Sequence, residues 1–256
     1  MHRLLLPLID LEQVSKTFVD PSAKVVRAVD RVSLHVEAGE RLCLVGTSGC
    51  GKTTTMRLIN RLLDASEGRV RVAGEDVQAL DPIRLRRRIG FVVQRGGLFP
   101  HLTVTRNIEL LCELEGWSRT RINARVETLL DLLGLPREAF GDRYPYELSG
   151  GQQQRVGIAR ALALDPQIVL MDEPFGALDP ITRREIHAEF LRLCRELDKT
   201  IILVTHDMHE AFKLGHRIAL MRDGRIEQVG TAKELVERPA TDFVRHFVRP
   251  EPLLAP

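Results

Sequence analysis

Arg41-Leu-Cys-Leu-Val-Gly46-Thr47-Ser48-Gly49-Cys50-Gly51-Lys52-Thr53-Thr54 is the stretch that decides the fold of this chain. Its first five residues are nearly all apolar, as in a strand buried on both faces. A glycine-rich turn follows, and residues 52–63 then carry apolar side chains at helical spacing. Strand, glycine turn and helix together open an α/β unit. The turn fits the pattern GxxxxGK(S/T), in which each residue type has a physical task. The glycines let the loop wrap so that successive backbone N–H groups point inward at phosphate oxygens. The helix beginning near Lys52 adds the positive end of its dipole to that anion site. Lys52 can bridge the outer phosphates of a nucleotide, and the Thr53 hydroxyl can ligate Mg²⁺.

Outward from this stretch, residues 9–14 and 32–36 alternate apolar and polar side chains and read as half-exposed antiparallel strands. Residues 68–74 alternate again and suggest a sheet-edge strand. From about residue 104 to 133 the pattern becomes helical, with Gly134 and Pro136 as a stop. This region holds no convincing strand and reads as a helical insert. The α/β rhythm then returns: helix over 152–164, buried strand over 168–171, helix over 184–197, buried strand over 201–204. Residues 218–221 and 226–229 flank Asp223-Gly224, a hairpin turn. The triplet Arg86-Arg87-Arg88 is read as a solvated face beside a strand.

The 256 residues are 44% hydrophobic and 28% charged, which excludes disorder across most of the chain. Lys and Arg number 37 against 35 Asp and Glu, so the net charge of +2 offers no nucleic-acid footprint. Residues 4–11 are interrupted by Pro7 and Asp10, too short to span a bilayer and without a cleavage site. Cys43, Cys50, Cys112 and Cys194 form no CxxC pair and sit at no metal-ligand spacing, so reduced thiols are expected.

A second chemical element is Ile168-Val-Leu-Met-Asp172-Glu173. A carboxylate leaving the end of a buried strand can hold Mg²⁺, which suits Asp172. Glu173 can polarise an attacking water as a general base. The competing reading of this pair is a helix cap, and a lone His206 by itself reads as a core histidine.

With Leu148-Ser149-Gly150-Gly151-Gln152 lying between these elements, the chain resembles the ABC ATPases, few relatives of which outside the family carry that signature. Gln94 resembles the Q-loop glutamine, Ala177-Leu178-Asp179 the D-loop, and His206 the switch histidine. Phe18 stands where the family places an aromatic on adenine, often a tyrosine. Stacking needs only a ring, worth about 1–3 kcal/mol per base. The motifs occur in the family's order across nearly the whole chain. The resemblance implies a P-loop NTPase (RecA-like) α/β core with an antiparallel β subdomain and a helical subdomain. It places one ATPase domain over residues 9–247, the helical subdomain over roughly 95–160, and a loose tail over 248–256.

For mechanism, the resemblance implies ATP and Mg²⁺ as cofactors and a head-to-tail dimer with two shared sites. Phe18 and residues 46–54 would bind ATP in one chain, while Ser149, Gly150, Gly151 and Gln152 meet the γ-phosphate bound to the other. Thr53, Gln94 and Asp172 would serve the metal; Glu173, His206, Lys52 and Gln94 would serve catalysis; Asp179 would cross the dimer interface. Cys50 inside the loop makes alkylation sensitivity an expectation.

Residues 89–101, 115–118, 143–149 and 175–182 are similar to glycine betaine, carnitine and choline importer ATPases, though amino-acid and polyamine importers share several of them. The resemblance therefore implies a subunit on the cytoplasmic face of the plasma membrane. Its partners would be a second ATPase subunit, transmembrane permease subunits and, indirectly, an extracytoplasmic solute-binding protein, with no nucleic acid. Many members of that group continue into paired CBS domains; with the sequence ending at Pro256, regulation by such domains is not expected. Two other classes compete. A non-transport ABC ATPase would form no stable permease complex. A P-loop phosphotransferase would leave Ser149-Gly150-Gly151 without a role and would phosphorylate an acceptor instead of releasing phosphate.

Overall fold

The computed structural model describes residues 7–19, 25–93, 97–176 and 178–248. It divides into two compact units, Met1–Pro82 with Ile202–Pro256 and Ile83–Ile201. The expected tail beyond residue 248 lies outside the described residues.

The first unit opens with β1 (Ile9–Val19) and β2 (Val25–Val36), antiparallel and paired as far as Val19 opposite Val25. Both strands outrun the expected 9–14 and 32–36. Their outer ends expose Val19, Val25 and Val26, so the inside–outside alternation that marks a strand fades there. β3 (Arg41–Gly46) is buried along its length after Arg41 and leads into α1 (Lys52–Ile59). The helix stops short of the expected residue 63 because Arg61 turns left-handed, with φ of 52°. The Asn60 side chain accepts the Leu62 N–H at 3.1 Å and seals that end. β4 (Glu67–Val72) and β5 (Glu75–Asp76) complete a four-stranded sheet in the order β2-β1-β4-β5, so β4 is covered on its outer side by a two-residue strand.

The second unit begins within α2 (Pro82–Arg87), a helix that residue periodicity did not reveal. Arg86, Arg87 and Arg88 are exposed there, and Arg87 lies 2.6 Å from Glu115. β6 (Ile89–Val92) pairs in parallel with β7 (Ile168–Asp172). Between them run α3 (Val104–Leu114), α4 (Arg119–Leu132), the single turn α5 (Arg137–Phe140) and α6 (Gly150–Leu162). α7 (Pro180–Leu197) starts four residues before the expected 184, since the Asp179 carboxylate accepts the Ile181 N–H at 3.1 Å.

β8 (Thr200–Thr205) is buried throughout and returns the chain to the first unit. There α8 (Met208–Leu214), β9 (Arg217–Arg222), β10 (Arg225–Gly230), α9 (Ala232–Glu237) and α10 (Asp242–Val248) follow. The strand order is β10-β9-β3-β8, with β3 and β9 parallel. Asp223 and Gly224 both have positive φ, 48° and 80°, the paired left-handed turn that a two-residue hairpin requires. Among the described residues no helix is long and apolar enough to cross a membrane.

The fully buried Asn107 on α3 shows how the second unit holds its loops. Its amide nitrogen donates to the carbonyls of Phe99, Leu102 and Thr103 at 3.1, 2.9 and 3.0 Å, and its oxygen accepts the Phe99 N–H at 2.8 Å. Asn107→Ala leaves these backbone groups without that partner and is expected to cost about 2–3 kcal/mol, read as a lower urea midpoint with an unchanged m value.

Candidate active site

The phosphate loop is built wholly within the first unit. Gly46 leaves β3 with φ of 153°, and a Cβ there would lie 2.2 Å from the Met221 carbonyl oxygen. Gly51, with φ of 102°, presses against β2, where a Cβ would meet the Ala28 oxygen at 2.3 Å. Neither position accepts a side chain while the backbone keeps this course. Gly51 is the N-cap of α1 and offers no side chain to its first turn, so the helix start keeps its donors for an outside anion.

Lys52 lies folded over the loop, 6% exposed. Its Nζ donates to the carbonyls of Gly46 at 2.8 Å and Thr47 at 2.9 Å, with the Cys50 Sγ at 3.8 Å. Cys50 is buried, and burial pushes its thiol above the usual range despite the Lys52 charge beside it. The thiolate needed for alkylation is therefore disfavoured while the loop holds this form, which tempers the expected sensitivity.

Phe18 projects from β1, 40% exposed, with the Lys16 Nζ 5.3 Å from its ring centroid. Lys16 also donates to the Asp64 carbonyl at 2.8 Å, which holds the cation beneath the ring. That support had no signal in the sequence beyond a lysine two residues away on the same strand face. His206 is exposed at the end of β8, which removes the core-histidine reading. The residues on either side of it are held in place: the Asp207 carboxylate caps α8 through His209 N–H at 2.7 Å, and Thr205 donates to the buried Glu210 at 2.7 Å.

The second unit carries the remaining predicted residues. Asp172 ends β7, and Glu173 follows with φ of 44°. A non-glycine residue held left-handed stores strain, a state that concentrates at functional sites. The next helix begins only at Pro180, so the pair does not cap it. Behind Glu173, the fully buried Phe175 ring packs edge-on to His187 at 4.7 Å and Phe190 at 5.7 Å, anchoring the segment.

Ser149 is the N-cap of α6. Its Oγ accepts the Gln152 N–H at 3.3 Å while the Gln152 side chain accepts the Ser149 N–H at 2.9 Å, a reciprocal capping box. The box explains why the helix begins at Gly150, ahead of the expected 152. Gly150 is exposed at this positive helix end, so the backbone there can be approached closely. Just before it, the exposed Tyr144 and Tyr146 rings stack at 5.6 Å, a feature with no sequence signal of its own. Asp179 is exposed at the start of α7. Gln94 and Ala177 lie outside the described residues.

A glycine loop between a buried strand and a helix, with carboxylates leaving a second parallel strand, defines a phosphate-loop nucleotide-binding protein. Residues 29–176 match the family described as ABC transporter, and the chain belongs to that family. The glycine betaine/carnitine/choline transport ATP-binding protein OpuCA of Bacillus subtilis is 49% identical over 247 residues, 96% of this chain and 64% of that protein. The glycine betaine uptake system ATP-binding protein YehX of Escherichia coli is 48% identical over 240 residues, 94% of this chain and 76% of that protein. The chain thus spans less than two thirds of the length of OpuCA. Among solved structures, the dimeric post-hydrolysis state of the ATP-binding cassette MJ0796 bound to ADP and Pi aligns with a TM-score of 0.78 and 36% identity, over 87% of this chain and 98% of that one. The fold is accordingly that of an ABC ATPase cassette.

Gly51→Ala tests the loop directly. It places a methyl group 2.3 Å from the Ala28 oxygen at a left-handed position, and is expected to lower stability by about 2 kcal/mol or more in denaturant titration.

Proposed function

We propose that this chain is the ATP-hydrolysing subunit of an importer for a small solute, namely a quaternary-amine osmoprotectant such as glycine betaine, choline or carnitine. The observation that carries this reading is 49% identity, over 96% of the chain, to a protein named for transport of those solutes. The dimeric state of the ATP-binding cassette it resembles supports a dimer of this chain as well. A permease would supply the membrane passage and an external binding protein the solute, with this chain held peripherally at the cytoplasmic face.

In this reading Phe18 stacks on adenine, and the amides of Thr47, Ser48, Gly49, Cys50 and Gly51 with Thr53 and Thr54 surround the phosphates. The Lys52 ammonium exchanges its two carbonyl acceptors for β- and γ-phosphate oxygens, gaining charge-assisted hydrogen bonds. Among the described residues no group of three or more His, Cys, Asp or Glu is arranged to hold a metal. The donors on offer, the Thr53 hydroxyl, the Asp172 carboxylate and the Gln94 amide oxygen, are hard oxygens. They fit Mg²⁺ that arrives with phosphates and keeps several waters, rather than a resident ion in a protein cage. When bound, Mg²⁺ neutralises charge developing on the β- and γ-phosphate oxygens.

Glu173, at its left-handed position just past β7, accepts the proton of the attacking water. His206 contacts the γ-phosphate, and Gln94 contacts the metal or the water and reports to the helical subdomain. Ser149, Gly150, Gly151 and Gln152 serve the ATP held by the second subunit, with Asp179 at the dimer interface. Residues 9–247 make up the ATPase domain, with the helical subdomain over roughly 95–160 facing the permease.

Glu173→Gln is expected to keep ATP affinity and lose about 10²–10⁴-fold in turnover, with accumulation of an ATP-bound dimer on gel filtration. Near-native hydrolysis by this variant removes Glu173 from the role of base. For the solute, labelled glycine betaine and choline uptake is compared in a host lacking other betaine transporters. The host carries the cognate permease with either the native chain or Lys52→Ala. Uptake lost in Lys52→Ala is the expected result, and equal uptake with both proteins expressed overturns the solute.

A further inference from the structure

Three arginines converge on one carboxylate beside the phosphate loop. The Asp30 side chain is 7% exposed. Its Oδ1 takes the Arg27 Nη1 at 2.9 Å, and its Oδ2 takes the Arg225 Nε at 2.6 Å and Nη2 at 2.5 Å. The Arg31 Nε stands 3.6 Å away. Arg225, with Arg27 beside it, holds the Asp30 carboxyl below the usual carboxylate range, so the pair stays charged.

The backbone around Asp30 departs from a regular strand. Between Val29 and Val32, β2 carries one residue more than β1 does opposite, and Arg31 is left-handed with φ of 49°. Its N–H donates to the Ser15 Oγ at 3.1 Å, which secures the irregularity. Such a bulge re-aims a side chain and is retained at a cost in strain. Here it sits next to the carboxylate that faces the hairpin of β9 and β10.

The same two segments are joined through the main chain to the loop. Asp30 N–H donates to the Gly224 oxygen at 2.8 Å, and Gly224 N–H donates to the Cys50 oxygen at 3.1 Å. A trans peptide is planar, with its C=O and N–H pointing in opposite directions. Fixing the Cys50 carbonyl on Gly224 therefore fixes the Gly51 N–H on the opposite side of that peptide plane. The Ala28 carbonyl, two residues before Asp30, packs on Gly51 from β2.

We propose that the Asp30–Arg225 ion pair is a positioning element of the phosphate loop, setting the Cys50–Gly51 peptide through the hairpin turn at Gly224. This rests on the reading of residues 46–54 as an ATP site. Neither residue is among those assigned to ATP, Phe18 and residues 46–54. The pair acts through Gly224, so its loss lowers nucleotide affinity by letting the loop sample other peptide orientations, while chemistry in the saturated enzyme proceeds.

The test uses the full chain with Asp30→Asn and, separately, Arg225→Gln. MgATP affinity, kcat and KM are measured together with the alkylation rate of Cys50 by N-ethylmaleimide. Both variants are expected to bind MgATP about tenfold more weakly, with kcat at saturation within about twofold of native. Cys50 alkylation rises in both, while the buried Cys43, Cys112 and Cys194 stay unlabelled. Arg225→Lys, which keeps the charge, falls between native and Arg225→Gln. Native affinity and native Cys50 protection in both variants overturn the proposal. Labelling of all four thiols in both marks a fold-wide role and overturns it too. Failure of the native chain to bind MgATP contradicts the ATP reading itself, which separates the two claims.

Discussion

Backbone pressed against backbone, with no room for a side chain, is the constraint on which the first unit depends. Gly46 meets the Met221 carbonyl and Gly51 meets the Ala28 carbonyl at distances no Cβ tolerates. Both contacts come from strands on the flanks of the loop, so β2 and β9 dictate its path from outside. The flanking strands therefore hold the backbone of the loop on one course. Preorganised donors of this kind stabilise charge without reorganising at the moment of binding. The ammonium of Lys52 rests on the carbonyls of Gly46 and Thr47, beside the same backbone.

The second unit uses different devices for comparable ends. Its strand-end carboxylates lie where the backbone turns left-handed at Glu173, with the buried ring of Phe175 two residues on. Its glycine-led helix is started by the reciprocal cap of Ser149 and Gln152. Each device holds a short segment at one point while leaving Gly150 exposed and Glu173 only partly buried.

Much of this was legible in residue order because burial on both faces leaves a plain mark. β3, β7 and β8 were readable as apolar runs, and the hairpin at Asp223-Gly224 as a turn that only such residues adopt readily. The phosphate loop was legible because its glycines are demanded by sterics. Strand ends and helix ends were less so. Exposed valines hid the reach of β1 and β2, a left-handed Arg61 cut α1 short, and Asp179 started α7 early. α2 escaped notice because its arginines read as a solvated face and only Leu85 among its residues is buried. The ion pair of Asp30 with Arg225 spans 195 positions and has no local pattern at all. The lysine under Phe18 and the stacked Tyr144 and Tyr146 likewise become visible only once strands and turns bring them together.

The central claim is that the backbone amides of this glycine loop receive the phosphates of ATP. Hydrogen exchange of the native chain, with and without saturating MgATP, tests it most directly. The account predicts that amides of residues 47–54 gain the largest protection in the first unit when MgATP is bound. Unchanged exchange across those residues in the presence of bound nucleotide would contradict it.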